Sequence, residues 1–182
     1  MDIFSHGLWT GAACKAINKK IQIHPLHVRL TVFWGIFPDI FAFAIGFLWL
    51  FWNLITGNMS FSDIHRPGTV EPAPHDRLPI FRLISILYNI SHSLIIFFLV
   101  FGIVYMIFRK PVWELGGWLF HIILDIPSHS YKFYPTPFLW PISGWKFNGY
   151  SWAEPWFMIL NYSAIIIAYL LLWKRNIKTK QT

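Results

Sequence analysis

Cysteine, acidic residues and long polar stretches are all scarce in this sequence. Cys14 is the only cysteine, which excludes an internal disulfide. Charged residues make up 13% of the 182-residue chain, about half the share in ordinary soluble domains, and only 8 of them are acidic. Hydrophobic residues make up 55% of the chain and aromatic residues 20%. This composition is typical of a membrane protein.

Several catalytic and architectural signals are also missing. There is no His-Glu-x-x-His motif of an intramembrane metalloprotease and no glycine-rich phosphate loop. The GYSW stretch at 149–152 lacks the small residue that follows the serine in a nucleophile turn. No basic stripe with interleaved aromatic residues stands outside the apolar segments, which argues against a nucleic-acid partner. Without an internal repeat or a long polar linker, we interpret residues 1–182 as a single domain.

Three apolar segments, at 28–55, 80–108 and 155–173, are long enough to cross a bilayer, which requires about 20 residues. A shorter segment at 111–126 must return the chain between its neighbours, and we interpret it as a fourth span. Residues 2 to about 17 have apolar positions at helical spacing but are too short and polar to cross alone. We therefore predict an all-α integral membrane protein with about four transmembrane helices and an N-terminal amphipathic or re-entrant helix.

Lysine and arginine are distributed unevenly between the two sides of these spans. Ten of the 15 flank the ends that share a side with both termini, and the other five lie on the opposite side. By the positive-inside rule both termini face the cytoplasm. The net charge of +7 is then explained by contact with anionic lipid headgroups.

Two connections on the opposite side differ in composition. The loop at 56–79 contains four prolines and scattered charges, and we interpret its His65 and His75 as solvated loop residues. The connection at 128–154 is unusually rich in aromatic residues. Because a polar loop has no need of so many rings, we expect it to fold back onto the helices or to lie at the membrane interface.

Ionisable side chains interrupt the apolar segments. Asp39, His92, His121 and Asp125 would each be costly against lipid, by about 2.5–3.5 kcal/mol for a central aspartate, so we expect them to face the protein interior. At about 1.5 Å per residue, these four and His6 lie roughly 15–25 Å from the nearest cytoplasmic basic residue. Separate segments therefore bring a histidine or an aspartate to a similar depth, where they could share one site.

Local spacing favours a metal site. His121 and Asp125 are four residues apart, so one helix face can present a nitrogen and an oxygen to the same ion. Pro127 disfavours continuation of that helix, which would free His129 to fold back. Imidazole and carboxylate without thiolate suit Zn²⁺, or Mn²⁺ or Fe²⁺ at a higher coordination number.

Two other roles stay open for these residues. They could form a proton or metal-ion relay in a small transporter, or they could be polar contacts that only hold helices together. A metal is favoured because no lysine or arginine at matching depth neutralises the set. A hydrolase would need an open coordination position and a substrate cleft, whereas a transporter would need access from both faces.

Several short motifs, taken in order, resemble a known family. They are MDIFSHGLWTG at 1–11, Pro38-Asp39, SHS at 91–93, and HIILDIPSHS at 121–130 followed by TPFLWPIS at 136–143. Together they resemble the YdjM-like family of bacterial inner-membrane proteins described as metal-dependent hydrolases. The chain departs from some members at Ser128 and in a longer connection to the Leu-Trp-Pro-Ile-Ser run.

This resemblance implies a fold and a chemistry. The family is distantly similar to the zinc-dependent phospholipases C and single-strand nucleases, all-helical proteins whose histidines and aspartates hold metal ions. It implies a phospholipase C-like helical bundle in the bacterial inner membrane, with six candidate metal ligands, namely His6, Asp39, His92, His121, Asp125 and His129. Six ligands suit two divalent ions, most simply zinc.

The expected activity is hydrolysis of a phosphoester or ester bond in a lipid or another membrane-associated substrate. Asp125 or Asp39 would accept a proton in that reaction. The alternative is a small intramembrane proton or metal-ion transporter that uses the same histidines and aspartates.

Overall fold

Six α-helices, two short 3₁₀ turns and no strand make up the regular structure of residues 1–21, 25–63, 79–132 and 134–179, which the computed structural model describes. The helices are α1 (Ile3–Lys20), α2 (Val28–Ile55), α3 (Pro79–Ser91), α4 (Leu94–Phe108), α5 (Gly116–Ser128) and α6 (Pro155–Thr179). The all-α prediction is confirmed for these residues. His65 and His75 of the predicted polar loop lie outside them.

Two of the helices, α2 and α6, are long and apolar enough to cross a membrane, and each has a mean hydropathy of 1.8 over its most apolar stretch. Helices α3 and α4, with 13 and 15 residues, are each too short and qualify only as a pair, whose axes differ by 61°. The described part of the chain therefore has two candidate spans, or three if the bent pair is one span, which makes a membrane location plausible. The count of about four spans stays a prediction.

The bend between α3 and α4 divides the span that the sequence predicts at 80–108. Ser93 caps the amino end of α4, where its Oγ accepts hydrogen bonds from the backbone N–H groups of Ile95 and Ile96. Serine side chains that satisfy backbone donors in this way favour helix starts over helix interiors. The Ser93 hydroxyl also donates to the carbonyl of Trp140. His92 is consequently placed at a break in the helix.

Helices α1 and α5 are too short to cross the hydrocarbon core. The 18 residues of α1 extend about 27 Å and the 13 residues of α5 about 20 Å, against a core of about 30 Å. The segment predicted to be helical at 111–126 corresponds to α5. This helix begins only after a 3₁₀ turn, Trp113–Leu115. Both helices therefore have one end inside the protein.

Pro127 disfavours continuation of α5, as predicted, and the helix ends one residue after it, with His129 in an extended conformation. The proline lies in the last turn, and the helix continues to Ser128. A proline this close to the end removes only one late backbone hydrogen bond. The N–H of His129 still donates to the carbonyl of Asp125 at 3.1 Å, which keeps His129 beside the helix end.

Close backbone approaches hold α1 and α5 against α2. A Cβ at Gly117 of α5 would lie 2.2 Å from the carbonyl oxygen of Thr31, and a Cβ at Gly35 would lie 2.3 Å from Thr10 Oγ1 of α1. Small residues at such points let helix backbones come together, as is common in membrane proteins. These approaches set the levels at which α1 and α5 meet α2.

The aromatic connection, residues 129–154, folds back onto the end of α5, in agreement with the sequence interpretation. The N–H of Tyr150 donates to the carbonyl of Pro127 at 2.9 Å, and the N–H of Gly149 donates to the carbonyl of His129 at 2.8 Å. A Cβ at Gly149 would lie 2.2 Å from the Pro127 carbonyl oxygen, so only glycine fits there. The loop thus closes over the interior ends of α1 and α5.

Candidate metal centre

Four ionisable side chains converge where α2, α5 and the break between α3 and α4 meet. One ligand atom from each of Asp39, His92, His121 and Asp125 lies within 4.8 Å of all the others. The side chains of His92, His121 and Asp125 are fully buried, whereas that of Asp39 is 14% exposed. The group could hold a metal ion, with Asp39 on its accessible side.

Backbone carbonyls fix the proton positions on three histidine rings. The Nδ1 atoms face the carbonyl oxygens of Gly35 for His121 (2.8 Å), Tyr88 for His92 (3.2 Å) and Tyr134 for His129 (2.7 Å). Because a carbonyl can only accept, each Nδ1 carries a hydrogen, and the neutral ring then offers a lone pair at Nε2. All three Nε2 atoms lie within 3.4 Å of a carboxylate oxygen of Asp125.

The Nε2 atoms of His92 and His121 are 3.1 Å apart. Their distances to Asp125 Oδ2 are 3.4 and 3.1 Å, and their distances to Asp39 Oδ1 are 3.6 and 3.7 Å. Lone pairs and carboxylate oxygens that face one another this closely repel unless a cation or a proton lies between them. The geometry therefore requires positive charge at the centre of the group.

Asp125 Oδ2 is buried and has no hydrogen-bond partner among the described residues, although two imidazole nitrogens are close to it. Burying a carboxylate oxygen without such a bond is costly, and cation coordination is one of the few ways to offset that cost. The donor set of two imidazole nitrogens and two carboxylates fits a divalent ion.

The other oxygen of Asp125 faces a second group. Oδ1 lies 2.9 Å from His6 Nε2 and 3.4 Å from His129 Nε2, and the amino nitrogen of Met1 also contacts it. The His6 ring is fully buried and stacks on His121 with centroids 3.6 Å apart. The other ring nitrogen of His6, Nδ1, has no hydrogen-bond partner in the described part of the chain. The other five predicted ligands therefore lie around the carboxylate of Asp125.

Asp2, which is four residues before His6, has a different position. Its carboxylate caps α1 by accepting hydrogen bonds from the backbone N–H of Ser5 at 3.0 Å and from the Ser5 hydroxyl at 2.5 Å. It also accepts a hydrogen bond from the Tyr162 hydroxyl at 2.9 Å. Asp2 thus joins α1 to α6 and supports the position of His6 on the first turn.

Apart from Ser91, which flanks His92 in the sequence and whose Oγ lies 2.9 Å from His92 Nδ1, the sequence interpretation missed the groups that orient the ligands. Gly35 precedes Asp39 by four residues and accepts the His121 hydrogen bond, and Tyr88 precedes His92 by four residues and stacks on it at 3.8 Å. The same spacing relates His121 and Asp125. An orienting group could therefore be sought one helical turn before each of these three ligands.

Taken together, these features define an all-helical protein with candidate membrane spans and a buried histidine and aspartate centre that could hold a metal ion. Comparison with protein-family models, with curated proteins and with solved structures gives no match. The resemblance to the YdjM-like family stays a prediction.

Proposed function

We propose that the protein is a membrane-embedded metal-dependent hydrolase that cleaves a phosphoester or ester bond in a lipid or another membrane-associated substrate. The observation that carries this proposal is the buried convergence of the His92 and His121 Nε2 atoms on Asp125, with Asp39 on the accessible side. Purely structural polar contacts would be paired with donors, whereas here the lone pairs face one another.

Zinc is the ion that suits the spacing best. Ligands at about 2.0–2.2 Å from a tetrahedral ion lie about 3.3–3.6 Å from one another. The ligand atoms of His92, His121 and Asp125 lie 3.1 to 3.4 Å from one another. Asp39 Oδ1 lies 3.6 and 3.7 Å from the two imidazole nitrogens. Manganese or iron would be expected to draw in further oxygen ligands.

The two aspartates have different roles in this proposal. Asp125 is fully buried between imidazoles and serves as a ligand, so that two histidines and one carboxylate hold the ion, as in several catalytic zinc sites. Asp39 is the most distant of the four and the most exposed, so it lies beside the fourth coordination position. Asp39 is therefore the better candidate for the general base.

The chemistry follows from these positions. A divalent ion, when bound, polarises the scissile group and makes a neighbouring water more acidic. The Asp39 carboxylate takes a proton from the attacking water, whose oxygen forms the new bond to phosphorus or to the acyl carbon. The ester bond breaks, and Asp39 then returns the proton to the leaving oxygen.

A second ion is also proposed, on the Oδ1 side of Asp125, with His6 and His129 as its ligands. Its support is that Asp125 Oδ1 and Oδ2 face different imidazoles. The second ion would take the place of the Met1 amino nitrogen, which contacts Asp125 Oδ1 and lies 3.0 Å from His129 Nε2. Elemental analysis of the purified protein tests this point, with two divalent ions per chain expected. One ion per chain would remove the second site and leave the first.

The location that we propose is the bacterial inner membrane, with about four spans in a phospholipase C-like bundle and both termini in the cytoplasm. The support is the ten-to-five division of basic residues. Asn58 and Lys20 are exposed and lie beyond opposite ends of α2. A cysteine at position 58 should react with an impermeant reagent on intact cells, and one at position 20 only after permeabilisation. The reverse pattern would invert the proposed orientation.

The decisive experiment is hydrolysis by the purified protein in detergent. A chromogenic phosphodiester and a chromogenic carboxylic ester should be offered in parallel, because the bond class is part of the question. At least one should be cleaved, cleavage should stop with a chelator and resume with Zn²⁺, and Asp39→Asn should lower the rate without removing the metal. If neither is cleaved and the protein carries protons or metal ions into liposomes, the transporter function would replace the hydrolase.

A further inference from the structure

An apolar pocket of about 450 Å³ lies against the accessible side of the metal centre. Asp39 and His129 stand at its polar end, and Ile40, Phe43 and Phe47 of α2 form one wall. The volume is in the range of small-molecule sites, which are mostly apolar with a few polar groups that fix orientation. The arrangement suits a ligand with one polar end and one apolar end.

The pocket exists because α1 begins close to the level of Asp39. Thr10 of α1 contacts Gly35, and Cys14 contacts Thr31 at 3.6 Å, so the two helices run antiparallel. That register brings Ile3, the first residue of α1, to the level of the pocket, which it helps to line. The next two turns of α2 are not covered by α1. Between residues 39 and 47 they provide an apolar stripe about 12 Å long.

The stripe is open to the side of the helix that would face lipid. Ile40 is 41% exposed and Phe47 is 57% exposed, and both lie in α2, a candidate membrane span. Ala44 keeps the middle of the stripe open, because its side chain is a single methyl group. A chain could therefore enter from the bilayer without leaving an apolar environment.

We infer that this pocket binds the alkyl chain of a single-chain lipid phosphate, with the phosphate at Asp39 and His129 and the chain along α2 toward Phe47. Charge complementarity supports this occupant, because a divalent centre would offset the Asp2 and Asp39 carboxylates at the polar end and attract a phosphate, while the walls beyond it are apolar. A single pocket of about 450 Å³ accommodates one alkyl chain. The inference rests on the proposed function for the metal at the polar end of the pocket.

Photolabelling tests the binding without requiring turnover. The probe is dodecyl phosphate with a diazirine at the end of its chain, added to the purified protein in detergent, and a two-chain phosphatidic acid with the same group serves for comparison. The dodecyl probe should label the segment 40–47 of α2 in preference to the rest of α2 and to α6. Even labelling of all lipid-facing helices, or equal labelling of the segment by the two-chain probe, would overturn the inference.

A matched pair of variants locates the chain. Ala44→Phe fills the pocket from an exposed position and should lower labelling of the segment at least tenfold. Ile45→Phe adds a ring at the adjacent position, which is also exposed but does not line the pocket, and should leave the labelling unchanged. Labelling that is insensitive to Ala44→Phe, or equally sensitive to both changes, would contradict the assigned path.

Hydrolysis then separates this inference from the proposed function. With methyl and decyl esters of p-nitrophenyl phosphate, kcat/KM should rise by at most about fourfold per added methylene until the chain reaches Phe47. Ala44→Phe should remove the gain, whereas Ile45→Phe should retain it. Cleavage of both esters at one rate would overturn the pocket and leave the hydrolase intact. Specific labelling without any cleavage would support the pocket and remove the hydrolase.

Discussion

The two oxygens of Asp125 face two groups of histidines that are held in different ways. On the Oδ2 side, the Nδ1 atoms of His92 and His121 are each fixed by a backbone carbonyl. On the Oδ1 side, His129 has such a carbonyl, whereas His6 is placed by stacking on the His121 ring and its Nδ1 has no hydrogen-bond partner among the described residues.

This difference indicates unequal metal affinities. Ligands whose second nitrogen is hydrogen-bonded lose less freedom when an ion binds, and they are more basic. The Oδ2 side also has a second carboxylate, Asp39, which the Oδ1 side lacks. We therefore expect a tight site at Oδ2 and a weaker one at Oδ1, and variants can separate the two.

The largest effect is expected from Asp125→Asn, because Asp125 is the one residue common to both sides. The amide removes the negative charge and turns one ligand atom into a donor that faces imidazoles. Bound metal should fall below one ion per chain and the hydrolysis rate should fall at least about 100-fold, beyond the 10–100-fold typical of an orienting group. Elemental analysis and the rate with a chromogenic substrate measure both.

Asp2→Asn is the matched control for that variant. It makes the same chemical change one turn before His6, and asparagine caps a helix about as well as aspartate does. Metal content and rate should stay near those of the unaltered protein. A comparable loss in Asp2→Asn would mean that removal of a partly buried carboxylate near the site is enough, and the bridging role of Asp125 would fail.

A smaller effect should separate the two sides. His121→Phe and His6→Phe both keep a ring of similar size in the stacked pair and remove its nitrogens. His121→Phe should lose the tight ion and nearly all activity, whereas His6→Phe should keep one ion per chain and part of the activity. Titration with a metal-binding dye measures the number and affinity of the ions, and equal losses in the two variants would contradict unequal sites.

Much of the site could be predicted because ionisable groups are costly in an apolar setting. That cost alone identifies Asp39, His92, His121 and Asp125 in the sequence. The structure places them together. Helix α2 likewise has the bounds that its hydrophobic run indicates. Both inferences use a property that is strong in a membrane and local in sequence.

Other features could not be predicted because they depend on short-range competition or on three-dimensional register. The break at His92 results from capping by Ser93, which outweighs the hydrophobic continuity of residues 80–108. The pocket is created because α1 begins close to the level of Asp39. That level depends on how Thr10 packs on Gly35. Neither contact leaves a periodic pattern in the sequence.

The smallest effect is expected from Tyr88→Phe, which removes a hydroxyl that contacts His129 on the Oδ1 side. The ring still stacks on His92, but the hydroxyl no longer contacts His129 Nδ1 at 3.2 Å or donates to the Tyr134 carbonyl at 2.9 Å. Because that carbonyl still accepts from His129 Nδ1, the loss should be limited to about tenfold in the affinity of the weaker ion. The tighter ion should be unaffected.

Tyr162→Phe provides the comparison for this last change, since it removes a hydroxyl that donates to Asp2 and contacts none of the six ligands. Competition with a chelator of known affinity gives the Kd of each ion in both variants. Tyr88→Phe should shift only the weaker Kd, and Tyr162→Phe should shift neither. A shift of the tighter Kd in Tyr88→Phe would mean that the two sides of Asp125 act as one rigid unit, and the distinction between them would have to be abandoned.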